Sequence, residues 1–116
     1  MRHRVKTAIL SRMKGPRESL LRNLATSVIL YEKVKTTKAR AKFVRPIVER
    51  AITIGKSKTL ATRRALHAML HLDNAVKKIL EELGPKYAER KGGYTRVTSL
   101  KRREGDAAEI VQIELV

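Results

Sequence analysis

A chain of 116 residues with 27 Lys and Arg against 11 Asp and Glu carries a formal net charge of +16, while 42% of it is hydrophobic. That is the apolar content of one folded domain, with a charge whose self-repulsion destabilises a lone monomer unless a polyanion is at hand, and nucleic acid is the natural one. The absence of cysteine excludes disulfides, thiol chemistry and thiolate metal sites, and no apolar run approaches the roughly 20 residues that span a bilayer.

From Met1 to Arg17 there are six basic residues (Arg2, Arg4, Lys6, Arg12, Lys14 and Arg17) and no acidic one. They lead into no apolar stretch of signal-peptide length, so a cytoplasmic protein is expected. The stretch reads as a basic N-terminal arm, residues 1–15, ahead of a single α+β domain, residues 16–116. Thr7-Ala-Ile-Leu10 offers too little apolar surface to hold the arm to a core. Two readings stay open: a solvated, frayed terminus, or an extension that orders among phosphates, where an acid-free cationic segment gains most.

Gly15-Pro16 opens a first helix, because the missing N–H of proline has no intrahelical partner in the first turn. Leu20, Leu21, Leu24, Ala25, Val28 and Tyr31 form its apolar stripe, predicted to pack under a sheet. Lys33-Val-Lys-Thr-Thr37 is short and β-branched, a strand ending at Thr37, which caps the second helix. That helix, Lys38 to about Ile54, is predicted to bury Phe43, Val44, Ile47, Val48, Ala51 and Ile54. Pro46 interrupts it, implying either a kink or the end of one helix near Arg45 and the start of another. Thr59 caps a third helix reaching about Leu70, with Ala65, Leu66, Met69 and Leu70 as its apolar side. Asp73 caps a fourth, with the stripe Val76, Ile79, Leu80 and Leu83, and Gly84-Pro85 stops it.

The last stretch changes character. Tyr94 to Leu100 is aromatic and β-branched, the turn Lys101-Arg-Arg-Glu-Gly-Asp106 is basic, and Ile110 to Val116 places Val111, Ile113 and Leu115 on one face. A lone hairpin is only marginally stable in water, so this face needs a third strand and a helical layer. The element order is therefore helix, strand, three helices, two strands.

Chemistry is sparse. His67 and His71 stand one helical turn apart, but two ligands make a weak metal site and the Glu of a zinc-protease helix is missing. Neither a Ser, His and acid constellation nor a phosphate-cradling glycine loop stands out, so no enzyme, cofactor or small-molecule substrate is expected.

Met1-Arg-His-Arg4, the run Leu21-Arg-Asn-Leu-Ala-Thr-Ser27, Thr36-Thr-Lys-Ala-Arg-Ala-Lys42 with Arg45-Pro46, Gly92-Gly-Tyr-Thr-Arg96, Gly105-Asp-Ala-Ala108 and Ile113-Glu-Leu-Val116 occur in one order. In this succession the chain resembles ribosomal protein seventeen of the bacterial large subunit. The resemblance implies two layers, four helices packed on a three-stranded mixed sheet. It further implies a structural, non-catalytic part of the ribosome that binds large-subunit ribosomal RNA near the mouth of the exit tunnel, beside neighbouring large-subunit proteins.

With three Tyr, one Phe and no Trp, stacking platforms are scarce, and phosphate and shape recognition remain. Arginine grips phosphate with a planar fork; lysine supplies a point charge. The leading candidates for RNA contact are Arg2, His3 and Arg4, then Arg12, Arg17, Arg22 and Asn23 around the start of the first helix, whose free N–H groups favour an anion; Lys6 and Lys14 are the remaining cations of the arm. Arg40, Arg45, Arg63, Arg64, Arg96, Lys101, Arg102 and Arg103 form a second tier, each open to the alternative of a solvated surface charge. Tyr94 is expected to pack between sheet and helix. The competing function is a DNA-binding or regulatory protein using the third helix in a major groove, which would want a tight helix-turn-helix.

Overall fold

The computed structural model describes His3 and residues 9–116; Arg2, Arg4 and Lys6 lie outside the described residues. Helix α1 spans Lys14–Tyr31, so the last two residues assigned to the arm are helical. Its buried face is Ala25, Thr26, Val28 and Ile29, whereas Tyr31 is 72% exposed. Ile29, outside the predicted stripe, is buried and Tyr31 is not; the helix ends at Tyr31 and the chain turns away at Glu32 in the left-handed region (φ 62). Lys78 caps this end from another helix, donating to the Leu30 carbonyl at 2.9 Å and pairing with Glu32 at 3.2 Å. Thr26 is tolerated inside because its hydroxyl donates to the Arg22 carbonyl at 2.8 Å and accepts from the His71 N–H at 3.3 Å.

Strand β1 (Lys33–Thr37) runs directly into helix α2 (Lys38–Ile54). Thr37 is the N-cap by backbone conformation, but its side chain makes no capping hydrogen bond. One helix runs through Pro46, whose ring is exposed. Ala41, Val44, Val48, Ala51 and Ile52 are its buried face. Helix α3 (Leu60–Met69) begins as predicted at Thr59, whose side chain accepts from the Thr62 N–H at 3.1 Å. Helix α4 (Asp73–Lys78) has Leu72, not Asp73, as its N-cap. Asp73 sits one residue further in, where its carboxylate faces the positive helix end and takes Lys77 at 3.4 Å.

Gly84-Pro85 does not stop the fourth helix. It widens into a π turn, Ile79–Leu83, and ends with a further helical turn, Gly84–Lys86. In α geometry the Pro85 ring would strike the carbonyl four residues back, and it has no N–H to give. The wider turn, in which the Gly84 N–H donates to the Ile79 carbonyl, carries the backbone past this obstacle. The π turn also brings Gly84 against Gly55, the residue that ends α2.

Strands β2 (Thr95–Arg102) and β3 (Glu109–Leu115) form the hairpin, and β1 pairs with the other side of β3, giving the order β1-β3-β2. Both pairings are antiparallel. The mixed sheet implied by the family resemblance is therefore corrected. Strands β1 and β2 point the same way, but β3 lies between them and no parallel ladder forms. Val34 faces Ile113, Thr36 faces Val111 and Thr95 faces Leu115, so these side chains share the face against which α1 and α2 lie. Helices α3 and α4 pack on α1 and α2.

Val111 and Ile113 are buried as their alternation predicts. Tyr94 is buried beside Tyr87, with ring centroids 5.1 Å apart, as expected for a residue packed between sheet and helix. Its hydroxyl donates to the Arg90 carbonyl at 3.1 Å and accepts from Thr53 at 3.2 Å. The Lys56 ammonium lies 5.0 Å from the ring centroid and also donates to Arg90. The link between the helices and the hairpin is thereby fastened to the end of α2.

Candidate nucleic-acid interface

The positive charge is unevenly distributed along the chain. Residues 1–72 hold 18 of the 27 Lys and Arg but only three acids, Glu18, Glu32 and Glu49, whereas residues 73–116 are close to neutral. The cationic segments are those that build α1, β1, α2 and α3, and most of their charged side chains point outward.

Around the start of α1, Arg12, Lys14, Arg22 and Asn23 are exposed and Arg17 is half-buried; His3 is exposed. The first turn of α1 carries no acidic residue, and its N-cap, Met13, makes no side-chain hydrogen bond. These N–H groups are left for solvent or an anion. Leu10 and Ser11 precede it in the left-handed region (φ 52 and 56), and Arg12 turns back to donate to the Leu10 carbonyl at 2.7 Å. On α2, Arg40 is half-buried and Arg45 pairs with Glu49 at 3.6 Å. On α3, Arg63 and Arg64 are exposed.

In the hairpin, Lys101 and Arg102 are exposed and Arg96 pairs with Glu114 at 3.8 Å. Among the described residues no ion pair uses Lys14, Arg17, Arg22, Arg40, Arg63, Arg64, Lys101 or Arg102. These keep their full charge for a partner. Sequence reasoning passes over Lys33 and Lys35, both exposed on β1. The signal is there, since alternation about Val34 puts the two lysines on the face opposite the core.

Arg103 is engaged within its own turn. Its guanidinium grips Asp106 in two places, Nε to Oδ1 at 3.0 Å and Nη2 to Oδ2 at 2.6 Å, and Asp106 Oδ1 also accepts from the Ala108 N–H at 3.1 Å. Two backbone bonds of 2.8 Å between Arg103 and residues 107 and 108 close the same turn. The fork therefore shapes the hairpin tip, and Lys101 and Arg102 stand on it as the outward cations. The Arg103 hydrogen bonds, followed by that of Ala108, hold the Asp106 carboxyl down at about 2. A carboxyl lower in the folded state supports the turn above its ordinary range, and that support fades as pH falls through about 2. An NMR titration should place the Asp106 midpoint well below those of the unpaired carboxyls, and Arg103→Gln should raise it toward the usual carboxylate range.

His67 lies 3.3 Å from Asp73 and so serves the junction between α3 and α4. Among the described residues no group of three His, Cys, Asp or Glu is placed to hold a metal, and no helix is long and apolar enough to cross a membrane. Helix α3 buries Thr62 and Leu66 against its neighbours and exposes Arg63, Arg64 and His67.

A profile of the family described as "Ribosomal protein L17" matches residues 20–116. The chain belongs to the ribosomal protein L17 family. Its members are structural ribosomal proteins, not enzymes. The L17 relatives include a "Large ribosomal subunit protein bL17" of Dehalococcoides mccartyi, 46% identical over 116 residues, covering 100% of this chain and 99% of the relative. A protein of that name from Desulfitobacterium hafniense is 52% identical over 107 residues, covering 92% of this chain and 96% of its own. One from Fusobacterium nucleatum is 46% identical across the full length of both. The L17 profile begins at Leu20, within α1, so the body and the hairpin carry the family pattern.

Proposed function

We propose that this L17-family chain is a structural constituent of the large ribosomal subunit in the cytoplasm. It binds large-subunit ribosomal RNA through a basic arm, residues 1–15, and through the Arg and Lys surfaces of α1, α2, α3 and the hairpin, on the exit-tunnel side and beside other large-subunit proteins. The observation that carries the reading is the uncompensated charge: exposed cations on the helices and hairpin, Arg22, Arg63, Arg64, Lys101 and Arg102, have no carboxylate partner among the described residues, while the core beneath them is apolar. Such a body is complete only beside a polyanion, which neutralises the charge and releases counterions. The near absence of exposed aromatic rings favours binding to phosphate and helix shape over base stacking.

The test removes residues 1–13, which precede α1. The thermal transition of the remaining domain should move little. Binding to large-subunit RNA should weaken, and the log–log salt slope should fall by about 0.7–0.9 for each phosphate that the shortened chain no longer neutralises. Sedimentation of a cell lysate should place the full chain in large-subunit fractions. Unchanged RNA affinity without the arm would remove the arm from the site, and recovery on DNA would favour the regulatory alternative.

A further inference from the structure

We propose that the open face of the sheet is a second RNA surface, so that one copy of the chain bridges two RNA segments, one on its helical side and one on its strand side. This rests on the RNA-binding reading above and extends it from the hairpin to the lysines of β1, which that reading did not name. Helices α1 and α2 cover one face of β1 and β3 and the start of β2. On the opposite face the register aligns Lys33 with Glu114, Glu114 with Arg96, Lys35 with Gln112, and Gln112 with Thr98. Side chains paired in this way project to the same side.

The charges on this face do not cancel. Its one carboxylate in these pairs, Glu114, is engaged by Arg96 at 3.8 Å and by the Gln112 amide at 3.3 Å. Lys33 and Lys35 are both exposed and enter no ion pair among the described residues. They are two residues apart on one strand, hence about 6.6–6.8 Å along it, with Thr98 and Arg96 about 10 Å away across the width of two strand spacings. No aromatic ring lies in these pairs, so the surface suits a phosphate and sugar backbone, with lysines as point charges and Gln112 and Thr98 as neutral hydrogen-bonding groups.

Lysines on an edge strand also deter sheet-to-sheet pairing. Both β1 and β2 are edges of this sheet, so that explanation reaches Arg96 and Lys101 as well. It is separable, because glutamine keeps the edge polar while removing the charge. The helical side presents its own cations, Arg22, Arg63 and Arg64, and the α1 and α2 layer stands between the two surfaces. Two nucleic-acid helices can therefore lie on the molecule without competing for one site.

The experiment measures how many RNA duplexes one full-length chain holds, with a labelled duplex of roughly 16 base pairs as probe, by sedimentation at limiting protein and by energy transfer between donor-labelled and acceptor-labelled duplexes. The wild type should hold two and give transfer. The double variant K33Q/K35Q should hold one, with first-site affinity changed by less than about threefold, and abolish the transfer. The triple variant R22Q/R63Q/R64Q should also hold one. A control of equal charge loss, K77Q/K91Q, should keep two. Thermal melts identify any variant that is not folded, and Lys33→Ala alone should then show a partial loss. Transfer retained by K33Q/K35Q, transfer abolished in the control, or a single duplex on the wild type would each overturn the bridge. A wild type that binds no duplex at all would instead overturn the RNA-binding reading beneath it.

Discussion

Gly84→Ala is expected to destabilise the fold by about 1–3 kcal/mol, the usual range for forcing extra volume into a packed site. Local conformation predicts the opposite sign. Gly84 has ordinary helical angles (φ −56, ψ −55), and in such a position alanine is better than glycine by about 0.8–1 kcal/mol. The close approach decides the matter. A Cβ at Gly84 would stand 2.7 Å from the Gly55 carbonyl oxygen and 3.1 Å from that of Ile79. Both obstacles are backbone, which no rotamer change can move. Gly15, also helical, has nothing within 4 Å of the corresponding point, so Gly15→Ala should be neutral or slightly stabilising. Thermal and urea unfolding of the two variants should therefore move in different directions; at about 4–8 °C per kcal/mol for a domain near this size, the Gly84 shift is readily measured. A Gly84→Ala protein as stable as the wild type would mean that α2 and the π turn do not meet through their backbones.

The same region shows where the sequence stops being legible. Glycine followed by proline ordinarily marks a helix end, and residues 84–85 carry that signal. The pair instead marks a π turn, because the helix has a reason to continue: Leu83 and Tyr87 are both buried, and stopping at Gly84 would strip them from the core. That reason is tertiary, and a local pattern cannot express it. The cap expected at Asp73 fails for a related cause, since a carboxylate in the first turn satisfies the helix as well as one at the cap, and periodicity does not separate two adjacent positions.

Elements defined by their own patterning are legible. Lys33–Thr37 and Lys38–Ile54 have the predicted limits, the first because two β-branched threonines end it, the second because its apolar stripe outlasts the interruption at Pro46. Strand direction is not legible in this way. Which side of β3 accepts β1, and in which sense, depends on how α1 folds back, and the implied mixed sheet gives way to an antiparallel one. At the interface, residue type identifies the cations well, but not their state. Arg45, Arg96 and Arg103 look like Arg22 and Arg64 in sequence, yet the first three face Glu49, Glu114 and Asp106. Whether a carboxylate already faces a cation is a property of the fold.

Ile113→Ala should be among the most damaging single substitutions, at about 2–5 kcal/mol, because Ile113 is wholly buried in the central strand and its truncation leaves a cavity between sheet and helices. Against a total stability of roughly 5–15 kcal/mol for a domain, this is a large share. Leu100→Ala removes a similar side chain from the neighbouring strand and should change stability by no more than about 0.5 kcal/mol. The difference comes from register. Ser99 pairs with Val111 and Lys101 with Ile110, so Leu100 is the extra residue of a bulge and is 45% exposed. Equal losses at the two positions would place Leu100 in the core and rule out an exposed bulge at this point of β2. The stability of a leucine at the bulge thus reports on the pairing of β2 with β3 at the hairpin end.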